Sequence, residues 1–180
     1  IEAGTFMIAG AITRGDITLE NARPEHLGAV IDKSREIGVE ITPFGNTIRV
    51  KGNNAYHAVD LMTLPYPGMP TDMQAQFMAL LCIAEGKSII TEKIFPDRFI
   101  HAAELRRMGA DIRVDGPSAI IRGRPFLSGT EVMVSDLRAG AGLVVAGLVA
   151  EGTTQIHRIY HLDRGYERLA ERLSILGAAI

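Results

Sequence analysis

At 180 residues the chain has room for one domain, or for one large lobe of a bigger protein, and its 47% apolar content can fill a sizeable core. That core must be aliphatic, because aromatic residues make up only 6% and Trp is absent. A net charge of −2 with no block of like charges excludes a broad nucleic-acid surface, which needs clustered Lys and Arg, but leaves room for a local arginine pocket.

In chain order, the first stretch, IEAGTFMIAGAI, is apolar nearly all round and predicts a buried helix over about 1–14. A β-rich stretch and the irregular turn NARPEHL lead to an amphipathic helix over 24–37, and VEITPFGNTIRVKG then reads as two short strands joined by a turn. AVDLMTL (58–64) is the next strand. In PYPGMPTDMQAQ (65–76) three prolines and a glycine bar regular structure, and then a helix begins. Thr71 and Gln74 form a T-x-x-Q capping box at the start of a second buried helix, 72–85. Asp72 falls in its first turn, where the helix dipole favours negative charge. A β stretch, the turn IFPDRFIH and an amphipathic helix over 98–108 follow, with Arg106 and Arg107 suited to its last turn. ADIRVDGPSAIIRG supplies two more strands and TEVMVS (130–135) another. SDLRAGAGLVVAGLVA starts a third buried helix, 136–151, with Asp136 at its start; HRIYH reads as strand then turn, and a last amphipathic helix covers 164–176.

These elements repeat. Residues 11–41, 82–112 and 148–180 share one plan: an apolar helix ends at a glycine (Gly15, Gly86, Gly152), strand, turn and amphipathic helix follow, and a second glycine (Gly38, Gly109, Gly177) closes the helix. The paired glycines are 23, 23 and 25 residues apart and suit helix C-caps with positive φ. The full unit is β-α-β-α-β-β, over about 1–57, 58–128 and 129–180, the first unit lacking its opening strand and the third its closing pair. The expected architecture is α/β (α+β): three pseudo-repeated units with buried helices and strands outside them. Because the chain begins at Ile1 in mid-pattern, it is expected to be a piece of a longer one, other segments supplying the missing strands.

The second and third units share more than a plan. Asp72 and Asp136 match at the starts of buried helices, with Arg138 two residues beyond Asp136. Asp97-Arg98 and Asp163-Arg164 match in the turns before the outer helices. Two arginines on loops beside two aspartates suit an anionic ligand such as a phosphate or carboxylate; the competing reading is a set of surface salt bridges. The glycines of 140–147 do not make a phosphate loop, which needs strand, glycine turn and helix in that order; close helix packing is the simpler reason. His157 and His161 lack the further ligands a metal site needs, and Cys82, among Leu80, Leu81 and Ile83, reads as a core residue. One cysteine excludes an intrachain disulfide and fits a reducing, cytoplasmic setting. The longest uncharged apolar run, 139–150, falls short of the ~20 residues that span a bilayer.

PTDMQAQ, TEKIFPDRFIHAAELRRMGA, and DLRA followed by GLVAEGTTQIHRIYHLDRGYERL strongly resemble the UDP-N-acetylglucosamine enolpyruvyl transferase (1-carboxyvinyltransferase) family. The resemblance runs through the chain and is densest from Pro65 onward. It implies an inverse α/β barrel of two lobes with the active site between them. The implied reaction moves enolpyruvyl from phosphoenolpyruvate to the 3-hydroxyl of UDP-N-acetylglucosamine with release of phosphate, the opening of peptidoglycan synthesis, with no cofactor or metal. Asp72 is then expected to take the proton from that hydroxyl, and Ile94 to contact substrate through its main chain. Arg98, Arg138 and Arg164 would surround the anionic substrates, and Asp136 would match a second family aspartate. The family's N-terminal Lys-Asn pair and its mobile proton-donor loop have no match here, and Cys82 does not correspond to that loop's cysteine. The expectation is most of one lobe, inactive alone and completed by a second. Two rivals stand beside it: an enzyme of the 5-enolpyruvylshikimate 3-phosphate type, and a non-catalytic lobe of the same fold.

Overall fold

The computed structural model describes residues 1–180. The first unit runs α1 (Glu2–Ile12), β1 (Asp16–Leu19), α2 (Gly28–Ile37), β2 (Glu40–Phe44) and β3 (Thr47–Lys51). The second runs β4 (Leu61–Met62), α3 (Gln74–Leu81), β5 (Lys87–Thr91), α4 (His101–Arg107), β6 (Asp111–Asp115) and β7 (Ser118–Arg122). The third runs β8 (Glu131–Met133), α5 (Leu137–Gly147), β9 (Gln155–His157) and α6 (Leu169–Ile175).

Topology shows the kinship of the units. The second forms a four-stranded sheet in the order β4-β5-β7-β6, with β4 parallel to β5 and the other pairs antiparallel. The first repeats its last three positions as β1-β3-β2, both pairs antiparallel. The third repeats its first two as the parallel pair β8-β9. Relative to the second sheet, β1 therefore lacks a parallel neighbour and β9 lacks an antiparallel one. A groove of about 1040 Å³ lies between these two edges, lined by Ile17, Ile156 and Thr154 together with Val144 of α5 and Leu169 and Leu173 of α6.

The helices segregate as their sequences dictate. All eight residues of α3 are buried, as are most of α1 and α5, because these helices are apolar nearly all round and the two glutamines of α3 bond to Arg98 and Thr5 rather than to water. They lie side by side and run the same way: Gly4 of α1 faces Met73 just ahead of α3, and Gly142 of α5 faces the backbone of Ala75. Phe77, Met78, Leu80 and Leu81 are fully buried among them, each worth about 1.5–3 kcal/mol of transfer free energy. The outer helices bury one stripe each: Val30, Ile31 and Ile37 on α2, Ala102 and Leu105 on α4, Leu169 and Leu173 on α6. Cys82 is a free thiol at the end of α3, and burial pushes it up to about 12, so it stays protonated as a core residue.

Three expectations need correction. Thr71 and Gln74 make no capping box: residues Thr71–Met73 form a 3₁₀ turn without a side-chain cap, α3 starts only at Gln74, and both side chains bond elsewhere. Five of the six paired glycines have positive φ, but Gly15 does not; Arg14 takes the left-handed conformation in its place (φ 57°). The helix expected over 164–176 is α6 alone, because a 3₁₀ turn (Ile159–His161) and a loop occupy the residues before it, and Arg168 at φ 49° blocks earlier helix.

Candidate active site

Asp72 sits in the 3₁₀ turn that leads into α3. Its Oδ1 accepts from Arg138 Nε at 2.7 Å and from an Arg98 guanidinium nitrogen at 3.3 Å. Oδ2 has no hydrogen-bond partner in the protein, and the side chain is about one-third exposed. One carboxylate oxygen is thus committed to two cations while the other faces outward.

Each arginine is held by its own local structure. Arg98 follows the turn after β5; the same guanidinium nitrogen donates to Thr71 Oγ1 at 3.0 Å, the Phe95 ring lies 4.0 Å beneath its Cζ, and its carbonyl accepts from Gln74 Nε2. Arg138 is the second residue of α5, and its backbone N–H is fixed by Asp136. Asp136 is a true N-cap: extended at φ −158°, its Oδ1 accepts from the N–H groups of Arg138 and Ala139 at 2.8 and 3.1 Å. Asp72 and Asp136, matched by position in sequence, do different work. Asp136 caps its helix; Asp72 caps nothing and pairs with arginines. His101 lies close enough to Asp136 to feel its charge, yet burial dominates and holds the imidazole down at about 4, neutral, with Nε2 unpartnered.

Ile94 and Arg164 complete the expected set. The Ile94 N–H donates to Glu92 Oε1 at 2.9 Å, whereas its carbonyl takes part in no hydrogen bond within the protein. Arg164 is exposed and makes no salt bridge, but its loop is anchored against the same helix starts. A Cβ on neighbouring Gly165 would meet Leu137 at 2.7 Å. The Tyr166 hydroxyl shares a 2.9 Å hydrogen bond with Thr5 of α1, and Thr5 in turn accepts from Gln76 of α3 at 2.9 Å. Asp72, Arg98 and Arg138 are thus in direct contact, Asp136 is next to them, Ile94 lies on the turn that carries Arg98, and Arg164 projects from a loop packed on the start of α5. The cluster is a surface at one end of the buried helices; none of its three contacting side chains lines the large groove. Two residues not expected at the site also belong to it: Thr71, read from its spacing as a helix cap, whose hydroxyl instead links Arg98 to a buried acid, and that acid, Glu92.

A lobe with three buried helices side by side and sheets outside them has the fold of solved enolpyruvyl transferases. Residues 1–173 match the EPSP synthase (3-phosphoshikimate 1-carboxyvinyltransferase) family, and the chain belongs to that family. All 180 residues align with UDP-N-acetylglucosamine 1-carboxyvinyltransferase of Desulfosudis oleivorans at 59% identity and with that of an Anaeromyxobacter species at 55%, in each case covering 43% of the relative. The chain thus spans less than half the length of the curated relatives it matches. Among solved structures, the enolpyruvyl transferase NikO of Streptomyces tendae superposes with a TM-score of 0.90 at 27% identity, over 98% of this chain and 42% of that one. EPSP synthase of Acinetobacter baumannii superposes at 0.65 with 22% identity, over 86% of this chain and 37% of that one, a likeness of fold. The inverse α/β barrel lobe that the resemblance implied, with the buried helices and outer strands expected from the repeat, is the observed architecture.

Proposed function

We propose that the chain is the greater part of one lobe of a transferase that moves enolpyruvyl from phosphoenolpyruvate to the 3-hydroxyl of UDP-N-acetylglucosamine, a cytoplasmic step opening peptidoglycan synthesis and so serving cell-wall growth and division. The choice of acceptor follows the relatives that match the whole chain at 55–59% identity. The observation that carries the chemistry is the Asp72 carboxylate, with Oδ1 bound to Arg98 and Arg138 and Oδ2 open. An open carboxylate oxygen accepts the proton of a substrate hydroxyl as the hydroxyl oxygen bonds to the phosphate-bearing carbon of the enol. The flanking guanidiniums meet the negative charge of phosphate and carboxylate groups, together with Arg164 from its loop. The Ile94 carbonyl, being free, is the main-chain group that would contact the nucleotide sugar. Asp136 fixes Arg138 through the helix start: its Oδ1 holds the Arg138 and Ala139 N–H groups while Oδ2 accepts from Ser135 Oγ at 3.5 Å. A second lobe, from chain outside these residues, closes the site and supplies the proton that the terminal methylene carbon takes up in this addition; loss of phosphate from the adduct and of a methyl proton to a base then restores the double bond. No helix here is long and apolar enough to cross a membrane.

The test is phosphate release by the full-length protein with both substrates saturating. Asp72→Asn keeps the shape and the Oδ1 acceptor but removes the base, so kcat should fall about 10²–10⁴-fold, with a modest change in nucleotide-sugar binding. Near-normal kcat would remove Asp72 from the chemistry.

A further inference from the structure

The cluster has a hub that touches no solvent. Glu92, immediately after β5, is 0% exposed and has no cationic partner. A buried carboxylate in that position costs several kcal/mol unless hydrogen bonds replace its water. Glu92 has four: Thr63 Oγ1 at 2.6 Å, Thr71 Oγ1 at 2.8 Å, and the N–H groups of Ile94 and Phe95 at 2.9 and 3.0 Å. Their direction is set. The Thr63 hydroxyl already accepts from the Lys93 N–H, and the Thr71 hydroxyl already accepts from Arg98, so each has its single proton left for Glu92.

From this geometry we infer that Glu92 is a positioning residue for the Asp72–Arg98 pair and for the Ile94 carbonyl, an inference that rests on the function proposed above. Two arms run from it. Through Oε2 the order is Arg98 donating to Thr71 and Thr71 to Glu92, which pins the guanidinium nitrogen that also reaches Asp72. Through Oε1 it captures two successive backbone N–H groups of the turn 93–95. That capture turns the Ile94 N–H inward, leaves its carbonyl open, and seats the Phe95 ring beneath Arg98. The residues meant to touch the acceptor sugar and those meant to touch the anion are thereby set by one carboxylate.

Glu92→Gln preserves volume and one acceptor oxygen, so the turn can persist while the Thr71 arm fails: an amide N–H now faces a hydroxyl that must give its proton to something else. In full-length protein this variant should lower kcat/KM for phosphoenolpyruvate about 10–100-fold, the scale of an ångström-level misplacement of a catalytic group, with KM for the nucleotide sugar little changed. Thr71→Val should show the same loss, Thr71→Ser should restore it, and Glu92→Gln with Thr71→Val should be no worse than either alone. The Thr71 variants carry the test if Glu92→Gln fails to fold. A crystal structure of full-length Thr71→Val supplies a readout independent of substrate: the Arg98 guanidinium should swing away from Asp72. An unmoved Arg98, additive losses, or wild-type turnover in Thr71→Val would each overturn the inference. A wild-type enzyme without turnover on these substrates would instead sink the proposed function, and the Arg98 position would still decide the role of Glu92.

Discussion

Replacing Gly142 by Ala tests the packing on which the site stands. Gly142 lies inside α5, where Gly→Ala ordinarily stabilises a helix by about 1 kcal/mol. Here the added Cβ would sit 2.9 Å from the carbonyl oxygen of Ala75, and 3.0 Å from both its carbonyl carbon and its Cβ. Unstrained carbon contacts lie near 3.5–4.0 Å, and two of these three obstacles are backbone, which cannot rotate aside. The helices must separate by about half an ångström, and overpacking of this kind costs about 1–3 kcal/mol. Gly147, at the end of the same helix, is the control: its Cβ would meet only Thr154 atoms, at 3.5 Å or more, so the propensity gain comes without the clash. The difference between the two variants is then the overpacking alone, about 1–3 kcal/mol. Native-state amide exchange of α3 and α5 in the full-length protein reads it as a change in opening free energy. Equal protection in the two variants would mean that α3 and α5 have slack, and the close-packing explanation of the glycine run would fail.

His101 should make the fold acid-sensitive. Its folded value of about 4 lies below the ordinary 6.5, so the unfolded chain binds the extra proton; stability is complete above about pH 6.5 and falls by up to about 3 kcal/mol as pH drops toward 4. Urea midpoints of wild type and His101→Leu at pH 7 and 4.5 check this, and equal pH dependence would contradict it. The 180-residue chain alone should release no phosphate from phosphoenolpyruvate and UDP-N-acetylglucosamine under conditions where the full-length protein does, since groups acting as a unit lose function together. Turnover by the isolated chain would show that the site has been misplaced.

How much of this was legible in the sequence depended on the distance over which each interaction acts. The buried helices were readable because Phe77 to Leu81, like their counterparts in α1 and α5, are apolar around the whole turn, and the repeat placed strands and outer helices between paired glycines. Gly15 misled because a left-handed Arg14 does the work that Gly86 and Gly152 do elsewhere. The T-x-x-Q pattern misled for a related reason: Thr71 had a stronger offer from Glu92 and Arg98, 21 and 27 residues away, than from its own helix. The pairing of Asp72 with Arg138, 66 residues apart, left no local trace; only the repeat suggested that the two helix starts share an end. Glu92 was invisible because an acid after a strand reads as a solvated turn, and only the folded chain shows four donors converging on it.

The two sheet edges facing the groove carry a cost for anyone handling this lobe by itself. On the side where the second unit has a neighbour, β1 and β9 present backbone N–H and C=O groups with no ladder, next to an apolar trough. Such edges recruit whatever extended chain arrives first. In the isolated 180 residues they are open to a second copy. Self-association by strand addition is therefore the failure to expect of a preparation of this chain, and blocking the edge of β1 or β9 with a charged or proline-bearing residue is a more direct remedy than altering the well-packed helices behind it.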